Sequence, residues 1–449
     1  MRSLVVTLVG TFLLRMAGRI DFVILSFYLG RHFTSAAGIA VVLEAFYVSE
    51  LVLSVTTGGL TDRFGRRLFL LLSPAAAALA ALTFLIASHV VPAPRVTAGA
   101  GIVGLIALVL AGRLFEGAAS GIGVPATLGL LTDLTAGLPR LRTIVVTGFE
   151  AATVGGIVLA IPIGGQISRA LHTWGFVVVI ALQLVILFLF ARWARDRPGI
   201  QGRSRGAGSS LQSLLSGLAS LRDVRVATFL PAWLCVNALI GAWLTLCLIV
   251  LSFPKPPANY RHPGQLLYGG FTPGEASAAL GLVAVVFMAG MVVWTVYLPR
   301  IRRSTVMLTG LVGLAFAVAG MSGINSLGED IRSLPAGGWL WIAVLLVPTL
   351  GGVALLSGFT PAALTQLSAI AETTDGRTGA VMGLYSVALA VGQFVGTAIG
   401  GVFVDAGGFF GLMVFSALMG VLALLSVLYL RRHRHDLTGH DAGHVPPIG

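Results

Sequence analysis

Ionisable residues inside long apolar stretches are the residues of this 449-residue chain that could do chemistry. An ionisable group at membrane depth is costly, so each one is a candidate for ion binding or proton transfer. A carboxylate beside an arginine suits reversible protonation, because the arginine favours the charged carboxylate while removal from water favours the neutral form. The predicted proton-coupling set is Asp21, Glu44, Glu50, Arg113 and Glu116.

Two interpretations of these charges stay open at the level of sequence. In the first, Asp21 or Glu44 carries a proton and Arg113 modulates its affinity. In the second, the charges form a static network of salt bridges that holds three helices together. Arg15 and Arg19 are four residues apart and therefore share one face of a helix. The predicted substrate cavity consists of Arg15, Arg19, Asn237, Tyr385 and Gln393.

The composition indicates that these charges lie in membrane helices. The chain is 56% hydrophobic and only 10% charged, whereas a soluble protein carries about 25% charged residues. Alternation of polar and apolar residues is absent, so the predicted class is an all-α membrane protein. The net charge of +12 comes from basic residues in the connections between apolar stretches, which argues against nucleic acid as a partner.

Twelve apolar stretches are each long enough to cross a bilayer, which takes about 20 helical residues. They predict two six-helix bundles at residues 1–192 and 226–430, a cytoplasmic linker with an amphipathic helix at 193–225, and a cytoplasmic tail at 431–449. The predicted spans are 4–29, 36–59, 68–88, 99–122, 144–168, 173–192, 226–252, 275–298, 304–322, 338–359, 378–403 and 408–430.

The basic residues of the connections predict the orientation. Segments on the side of the two termini hold 20 of the 29 Lys and Arg residues, and three lie within spans. Because cytoplasmic loops carry the excess of positive charge, both termini are expected in the cytoplasm and the chain in the inner (plasma) membrane. The opposite side holds six, which are Arg31, Arg95, Arg169, Lys255, Arg261 and Arg332.

A short charged loop between the second and third spans carries the most specific motif. It resembles the signature loop of the major facilitator superfamily, G-x-x-x-D-R-x-G-R-R, matched at Gly58, Asp62, Arg63, Gly65, Arg66 and Arg67. The resemblance implies two pseudo-symmetric bundles that work by alternating access, with this loop as a cytoplasmic gate. Asp133 is the candidate partner for Arg66 or Arg67.

Two further stretches resemble motifs of the same superfamily. Arg113 and Gly117 match the pattern R-x-x-x-G of proton-coupled members. The stretch 156–165 is similar to a motif of drug/proton antiporters, although Ala160 replaces a glycine and Pro162 lies one residue late. Small residues allow membrane helices to approach closely, so the predicted packing positions are Pro162, Gly164, Gly165, Gly392, Gly396 and Gly400.

The predicted function is a proton-coupled secondary active transporter that exports small amphipathic or cationic compounds. The alternative is an importer of an anionic metabolite, with Arg15, Arg19 and Arg113 as the binding cations. The sequence contains no nucleotide-binding or metal-binding motif, so neither an enzyme nor a cofactor is expected. The predicted partners are a small-molecule substrate, protons and the lipid bilayer, and the chain is expected to be a monomer.

Overall fold

The computed structural model describes residues 2–33, 35–90, 100–135, 138–195, 224–254, 262–372 and 378–432, and these contain helices but no strand. Helices suit such apolar residues because every backbone hydrogen bond is made within the segment, which a bilayer requires. The first helices are α1 (Arg2–His32), α2 (Ala36–Glu44), α3 (Phe46–Phe64), α4 (Arg66–Val90), α5 (Ala100–Leu134), α6 (Pro139–Leu171) and α7 (Gly175–Trp193).

Six further α-helices lie in the rest of the described chain. They are α8 (Val224–Ser252), α9 (Pro273–Tyr297), α10 (Arg303–Asn325), α11 (Ala336–Leu356), α12 (Phe359–Glu372) and α13 (Thr378–Arg432). Gly408 interrupts α13 with a φ of 62° and a ψ of −139°, a backbone conformation that glycine adopts without steric cost. The turn at Gly408 separates the two predicted spans that α13 contains.

The helices account for all twelve predicted spans. Within the described residues, nine stretches are long and apolar enough to cross a membrane. Two of them, Gly148–Trp193 and Val387–Arg432, have 46 residues each, and each overlaps two predicted spans. The remaining predicted span coincides with α1.

The second predicted span, 36–59, differs from the expectation of one continuous helix. It consists of α2 and α3, which are separated at Ala45. No proline or glycine marks this position in the sequence, and the backbone of Ala45 stays in the helical region with a φ of −54°. The local sequence therefore gives no reason for the break.

The described chain divides into two compact units. The first contains residues 2–33, 38–195 and 271–281, and the second contains 35–37, 224–270 and 282–432. The predicted linker lies outside the described residues from 196 to 223, and the predicted tail does so from 433 onward. The domain boundaries drawn from the sequence remain a prediction.

Close backbone contact between α8 and α13 organises the second unit. The predicted packing residues Gly392, Gly396 and Gly400 lie along this contact. A Cβ atom on Gly392 would lie 2.8 Å from Asn237 Cβ, and one on Gly396 would overlap Ala238. The large buried side chains of this unit, such as Trp233, complete an apolar core beside the contact.

A network of amide groups joins the segment before α9 to the turn at Gly408. Gln265 Oε1 accepts hydrogen bonds from the backbone N–H groups of Phe409 (2.8 Å) and Phe410 (3.3 Å). Asn325 donates to the same oxygen at 3.3 Å and accepts from the N–H of Leu267 at 2.9 Å. Gln265 therefore satisfies N–H groups that the start of a helix leaves without helical partners.

A carboxylate caps the start of α2 within the second unit. Asp405 accepts hydrogen bonds from Ser35 Oγ (2.7 Å) and from the backbone N–H groups of Ala36 (2.7 Å) and Ala37 (3.2 Å). An anion at a helix N-terminus is favourable because the N–H groups and the helix dipole both point toward it. This cap joins residues about 370 positions apart in the sequence.

Candidate functional site

Five ionisable residues gather inside the first unit, and we call them the central cluster: Arg19, Asp21, Glu44, Arg113 and Glu116. Helix α1 supplies Arg19 and Asp21, α2 supplies Glu44, and α5 supplies the other two. Asp21 is 1% exposed and Arg113 is 3% exposed. The structure thus brings together four of the five predicted proton-coupling residues, with Arg19 from the predicted substrate cavity.

Arg113 explains the break in the second span. Its guanidinium forms an ion pair with Glu116, and its Nε donates to the carbonyl of Leu43 at 2.6 Å. Leu43 lies in the last turn of α2, where carbonyl groups have no N–H partner within the helix. The arginine therefore satisfies backbone that the break exposes inside the membrane, which is the condition for tolerating such a break.

Aromatic rings hold the two guanidinium groups of the central cluster. Arg19 lies over the ring of Phe22 at 4.2 Å, and Arg113 lies over the same ring at 5.3 Å. Arg113 also lies over Phe46 at 5.1 Å. A ring face attracts a cation, most strongly where water is excluded, so these contacts position both arginines without neutralising them.

Asp21 differs from the other carboxylates of the central cluster. Its Oδ1 atom has no hydrogen-bond partner in the part of the chain that the structure describes. Glu116 and Arg113 are both within electrostatic range of it. An ionised carboxylate removed from water is costly unless it is paired, which makes Asp21 the candidate for proton binding in this cluster.

A second polar contact, which we call the Ser120 bridge, lies one helical turn from the central cluster. Arg15 Nη1 donates to Ser120 Oγ at 3.1 Å, and Ser120 Oγ donates to Glu50 Oε1 at 2.6 Å. Glu50 is the fifth predicted proton-coupling residue. Sequence reasoning missed Ser120, because a serine inside an apolar helix is common and carries no charge to draw attention to it.

Glycines on α5 allow the close approach to α3 that these contacts need. A Cβ atom on Gly121 would lie 2.7 Å from the carbonyl oxygen of Glu50, and one on Gly117 would overlap the carbonyl of Phe46. Gly117 is the small residue of the pattern that begins at Arg113. The motif therefore combines a cation with the contact that brings α3 up to it.

The signature loop contains an ion pair within the first unit. Arg66 Nε lies 2.6 Å from Asp133 Oδ2, so the structure brings the two predicted partners together. Arg67 instead donates to the carbonyl of Ala191 at 2.7 Å. Gly65 has a φ of 87° between α3 and α4, which explains the glycine of the motif.

The predicted gate also includes Gly58, Asp62 and Arg63. The side chains of Asp62 and Arg63 lie outside the described residues, and Gly58 is placed only as part of α3. The gate function of the whole set, including Arg66, Arg67 and Asp133, remains a prediction.

The other predicted cavity residues are divided between the two units. Asn237 is buried and donates to the carbonyl of Trp233 in its own helix at 2.8 Å. Gln393 is half-buried, and the side chain of Tyr385 lies outside the described residues. Arg15 and Arg19 belong to the first unit. A shared role for these residues in binding substrate remains a prediction.

The predicted packing residues of α6 lie at contacts inside the first unit. A Cβ atom on Gly164 would lie 3.0 Å from Val23 Cβ, and one on Gly165 would overlap Ser277. Pro162 is 3.2 Å from the position of a Cβ on Gly281. Across the described residues, no group of three or more His, Cys, Asp or Glu side chains could hold a metal ion.

Long apolar helices with ionisable groups buried among them define a multi-pass membrane protein that moves a solute or an ion. A family model described as the Major Facilitator Superfamily matches residues 7–327 and 265–446. The chain therefore belongs to the Major Facilitator Superfamily. The predictions of an all-α membrane fold of this superfamily and of a transport protein rather than an enzyme are confirmed.

Curated relatives from mycobacteria match part of the chain. A triacylglyceride transporter of Mycobacterium tuberculosis (strain ATCC 25618 / H37Rv) is 36% identical over 166 residues, which are 36% of this chain and 29% of the relative. A triacylglyceride transporter of Mycolicibacterium hassiacum is 28% identical over 184 residues, which are 40% and 31% of the two chains. The matched part thus spans about a third of these relatives.

Solved structures match nearly the whole chain. The nucleoside transporter NupG superposes with a TM-score of 0.65 and 13% identity over 94% of this chain and 99% of that one. The xylose transporter XylE from E. coli, in a partially occluded inward open conformation, superposes with a TM-score of 0.62 and 14% identity over 97% and 98%. At this level of identity the likeness shows the fold.

Proposed function

We propose that this protein is a proton-coupled secondary active transporter that exports an amphipathic, lipid-like compound by alternating access. The observation that carries the proposal is the central cluster. Five ionisable groups lie inside one unit, and several of them are almost completely removed from solvent. Such groups are expensive at membrane depth, and they mark ion and proton pathways in transporters.

The charge balance of the central cluster favours proton coupling. Its three carboxylates and two arginines carry one net negative charge when all are ionised, and a single proton makes the cluster neutral. A buried group of charges is least costly when it is balanced. Asp21 is the preferred carrier because Glu116 already pairs with Arg113, whereas Asp21 Oδ1 has no partner among the described residues.

The names of the relatives support the choice of substrate class. Two mycobacterial proteins that match over a third or more of this chain are named triacylglyceride transporters. A long acyl chain combined with a polar ester group is amphipathic, in agreement with the class expected from sequence. A cationic amphiphile is the second choice, and assignment to the drug/proton antiporter branch rests on the imperfect motif at 156–165.

The import of an anionic metabolite is less well supported. Arg15 donates to Ser120, and Arg113 is engaged by Glu116 and by the carbonyl of Leu43. A binding cation for an imported anion needs hydrogen-bond donors directed at the ligand. The observed contacts use several of these donors inside the protein.

Flux in proteoliposomes with an imposed pH gradient tests the proposal. Three probes are compared: a fluorescent triacylglyceride analogue, the lipophilic cation ethidium and a small dicarboxylate. We expect the gradient to drive the triacylglyceride analogue and Asp21→Asn to abolish this response. Glu329→Gln, which makes the same chemical change at an exposed loop residue, is expected to transport normally. A wild type that carries each probe equally with and without the gradient would reject proton coupling.

We further propose that the signature loop acts as a latch on the cytoplasmic side, with Asp62 as its acidic member. Family resemblance and the excess of basic residues on the side of the termini support this assignment. We expect Asp62→Asn to slow transport about tenfold, equivalent to about 1.4 kcal/mol, while the melting temperature of the purified protein stays unchanged. Wild-type rates in this variant would remove the support for a latch.

A further inference from the structure

The Ser120 bridge joins three helices through a single hydroxyl group. Ser120 is 7% exposed, and its hydroxyl connects a cation on α1 with a carboxylate on α3. It donates to Glu50 at 2.6 Å and accepts from Arg15 at 3.1 Å. A hydroxyl has one donor and two acceptor positions, so one acceptor position of Ser120 is left after these two bonds.

We propose that Ser120 is a positioning residue whose hydroxyl changes its hydrogen-bond acceptor as Glu50 gains and loses a proton. Glu50 is then a second proton site, one helical turn from the central cluster. The inference rests on the proposed proton coupling and adds to it a residue and a direction of proton movement.

The exchange of hydrogen bonds can be written atom by atom. With Glu50 ionised, the Ser120 hydroxyl donates to Glu50 Oε1, as observed. When Glu50 takes a proton, its own O–H donates to Ser120 Oγ, and the Ser120 hydroxyl turns to the carbonyl of Glu116. A serine in a helix commonly donates to the carbonyl four residues earlier. Only one proton is gained or lost, and Arg15 keeps its bond to Ser120 Oγ.

The order of the polar side chains along α5 gives the proposed direction of proton movement. Ser120 follows Glu116 by four residues, which is about 6 Å along the helix axis. Asp133, in its pair with Arg66, lies 13 residues further along the same helix, which is about 20 Å. Glu50 therefore lies between the central cluster and the end of the unit that carries the signature loop, where a proton released from the cluster would travel.

The charges around Glu50 favour a proton on either the central cluster or Glu50, and disfavour protons on both at once. Within the described residues, its electrostatic neighbours are Arg15 on α1, Arg113 and Glu116 on α5, and Tyr47 on its own helix. The negative charge of the central cluster, which includes Glu116, attracts a proton to Glu50. A proton on Asp21, which lies within electrostatic range of Glu116, lowers that negative charge. A proton on the central cluster therefore disfavours a second proton on Glu50, as expected for two steps of one path.

Substitution of Ser120 tests the inference in proteoliposomes. We expect Ser120→Ala to lower gradient-driven transport about tenfold, because a hydrogen bond to a charged group is lost. The limb of the pH profile that reports proton release should move about one unit to higher pH, since the hydroxyl favours the ionised carboxylate. Counterflow of the fluorescent triacylglyceride analogue at equal pH on both sides should stay within about twofold of the wild-type rate. Ser120→Thr should restore the wild-type pH profile.

Ser73→Ala is the matched control. Ser73 is also almost completely buried, and it donates to a neutral group, the carbonyl of Ala119 on α5, at 2.8 Å. This variant should keep the wild-type pH profile. An unchanged profile in Ser120→Ala would overturn the inference, as would equal loss of gradient-driven transport and counterflow in the Ala and Thr variants. A wild type without any response to the gradient would overturn the proposed function instead.

Discussion

The two units of this protein handle buried polarity in different ways. The first unit buries Asp21, Glu44, Arg113 and Glu116 in its interior. The described part of the second unit buries Arg303 as its charged residue, and otherwise uses amides and hydroxyls. Among the described residues, the carboxylates that are fully buried (Asp21, Glu44 and Glu116) all lie in the first unit.

This difference separates structural polarity from functional polarity. Gln265 and Asn325 form neutral hydrogen bonds to backbone groups, so they stabilise one arrangement at every pH. The carboxylates of the central cluster are groups whose charge a bound proton would change, as the proposed coupling requires. Neutral groups would stabilise a helix contact at lower cost, because replacing a buried ion pair by well-packed apolar residues is often neutral or stabilising. The charges of the first unit are therefore in agreement with the proposed role in transport.

The largest expected effect on stability comes from breaking the buried ion pair between Arg113 and Glu116. Arg113→Leu leaves Glu116 charged without its cation and the Leu43 carbonyl without its donor, so we expect a loss of about 3–5 kcal/mol in unfolding free energy. The double variant Arg113→Leu/Glu116→Leu should regain most of that stability and remain without gradient-driven transport. Unfolding in detergent and flux in proteoliposomes measure the two effects. Recovery of transport in the double variant would mean that the charges are structural.

The corresponding change in the second unit should affect stability alone. Gln265→Ala removes the acceptor for two N–H groups at the turn beside Gly408, and we expect a loss of about 2–3 kcal/mol. The dependence of transport on pH should not change in the folded protein. Gln166→Ala, an exposed amide of the first unit, is the control and should unfold like the wild type. A shifted pH profile in Gln265→Ala would contradict the division of roles between the units.

A smaller effect is expected at the glycine contact between α8 and α13. A methyl group at position 396 would overlap Ala238, and overpacking of this kind costs about 1–3 kcal/mol. Part of that is offset by the preference of helices for alanine over glycine. Gly351→Ala is the matched control, because nothing lies within 4 Å of its added Cβ. Equal unfolding midpoints for Gly396→Ala and Gly351→Ala would contradict the close contact.

The smallest effect is expected at the ion pair of the signature loop. Arg66 and Asp133 have side chains that are 19% and 17% exposed, so water screens their attraction. We expect Asp133→Asn to change the unfolding free energy by at most about 1 kcal/mol. A loss as large as that of Arg113→Leu would show that partial exposure does not weaken ion pairs in this unit.

The sequence predicted the helices and the charged site for simple physical reasons. Each span is an apolar stretch of sufficient length, and each charge inside a span is visible because its cost is large. Arg113 and Asp21 could therefore be selected without any structure. The partner of Arg66 could also be proposed, since few acidic residues lie near the ends of the neighbouring spans.

The remaining features depend on contacts between distant parts of the chain. The break at Ala45 carries no local signal, because the group that stabilises it is Arg113 on another helix. Ser120 gains its importance only from the position of Glu50 opposite it. Gln265 lies in a loop with no charge and no repeated pattern, and only the fold shows that it meets the backbone beside Gly408.

The interruption at Ala45 also divides the second span into two shorter helices, α2 and α3. A helix kinks where a side chain inserts into its ladder of i→i−4 hydrogen bonds. Arg113 is hydrogen-bonded to the last turn of α2 and paired with Glu116. Arg113 therefore links the charges of the central cluster directly to the interruption in this span. Under the proposed proton coupling, Arg113 is the residue through which a change in the charge of the cluster would reach the junction of α2 and α3.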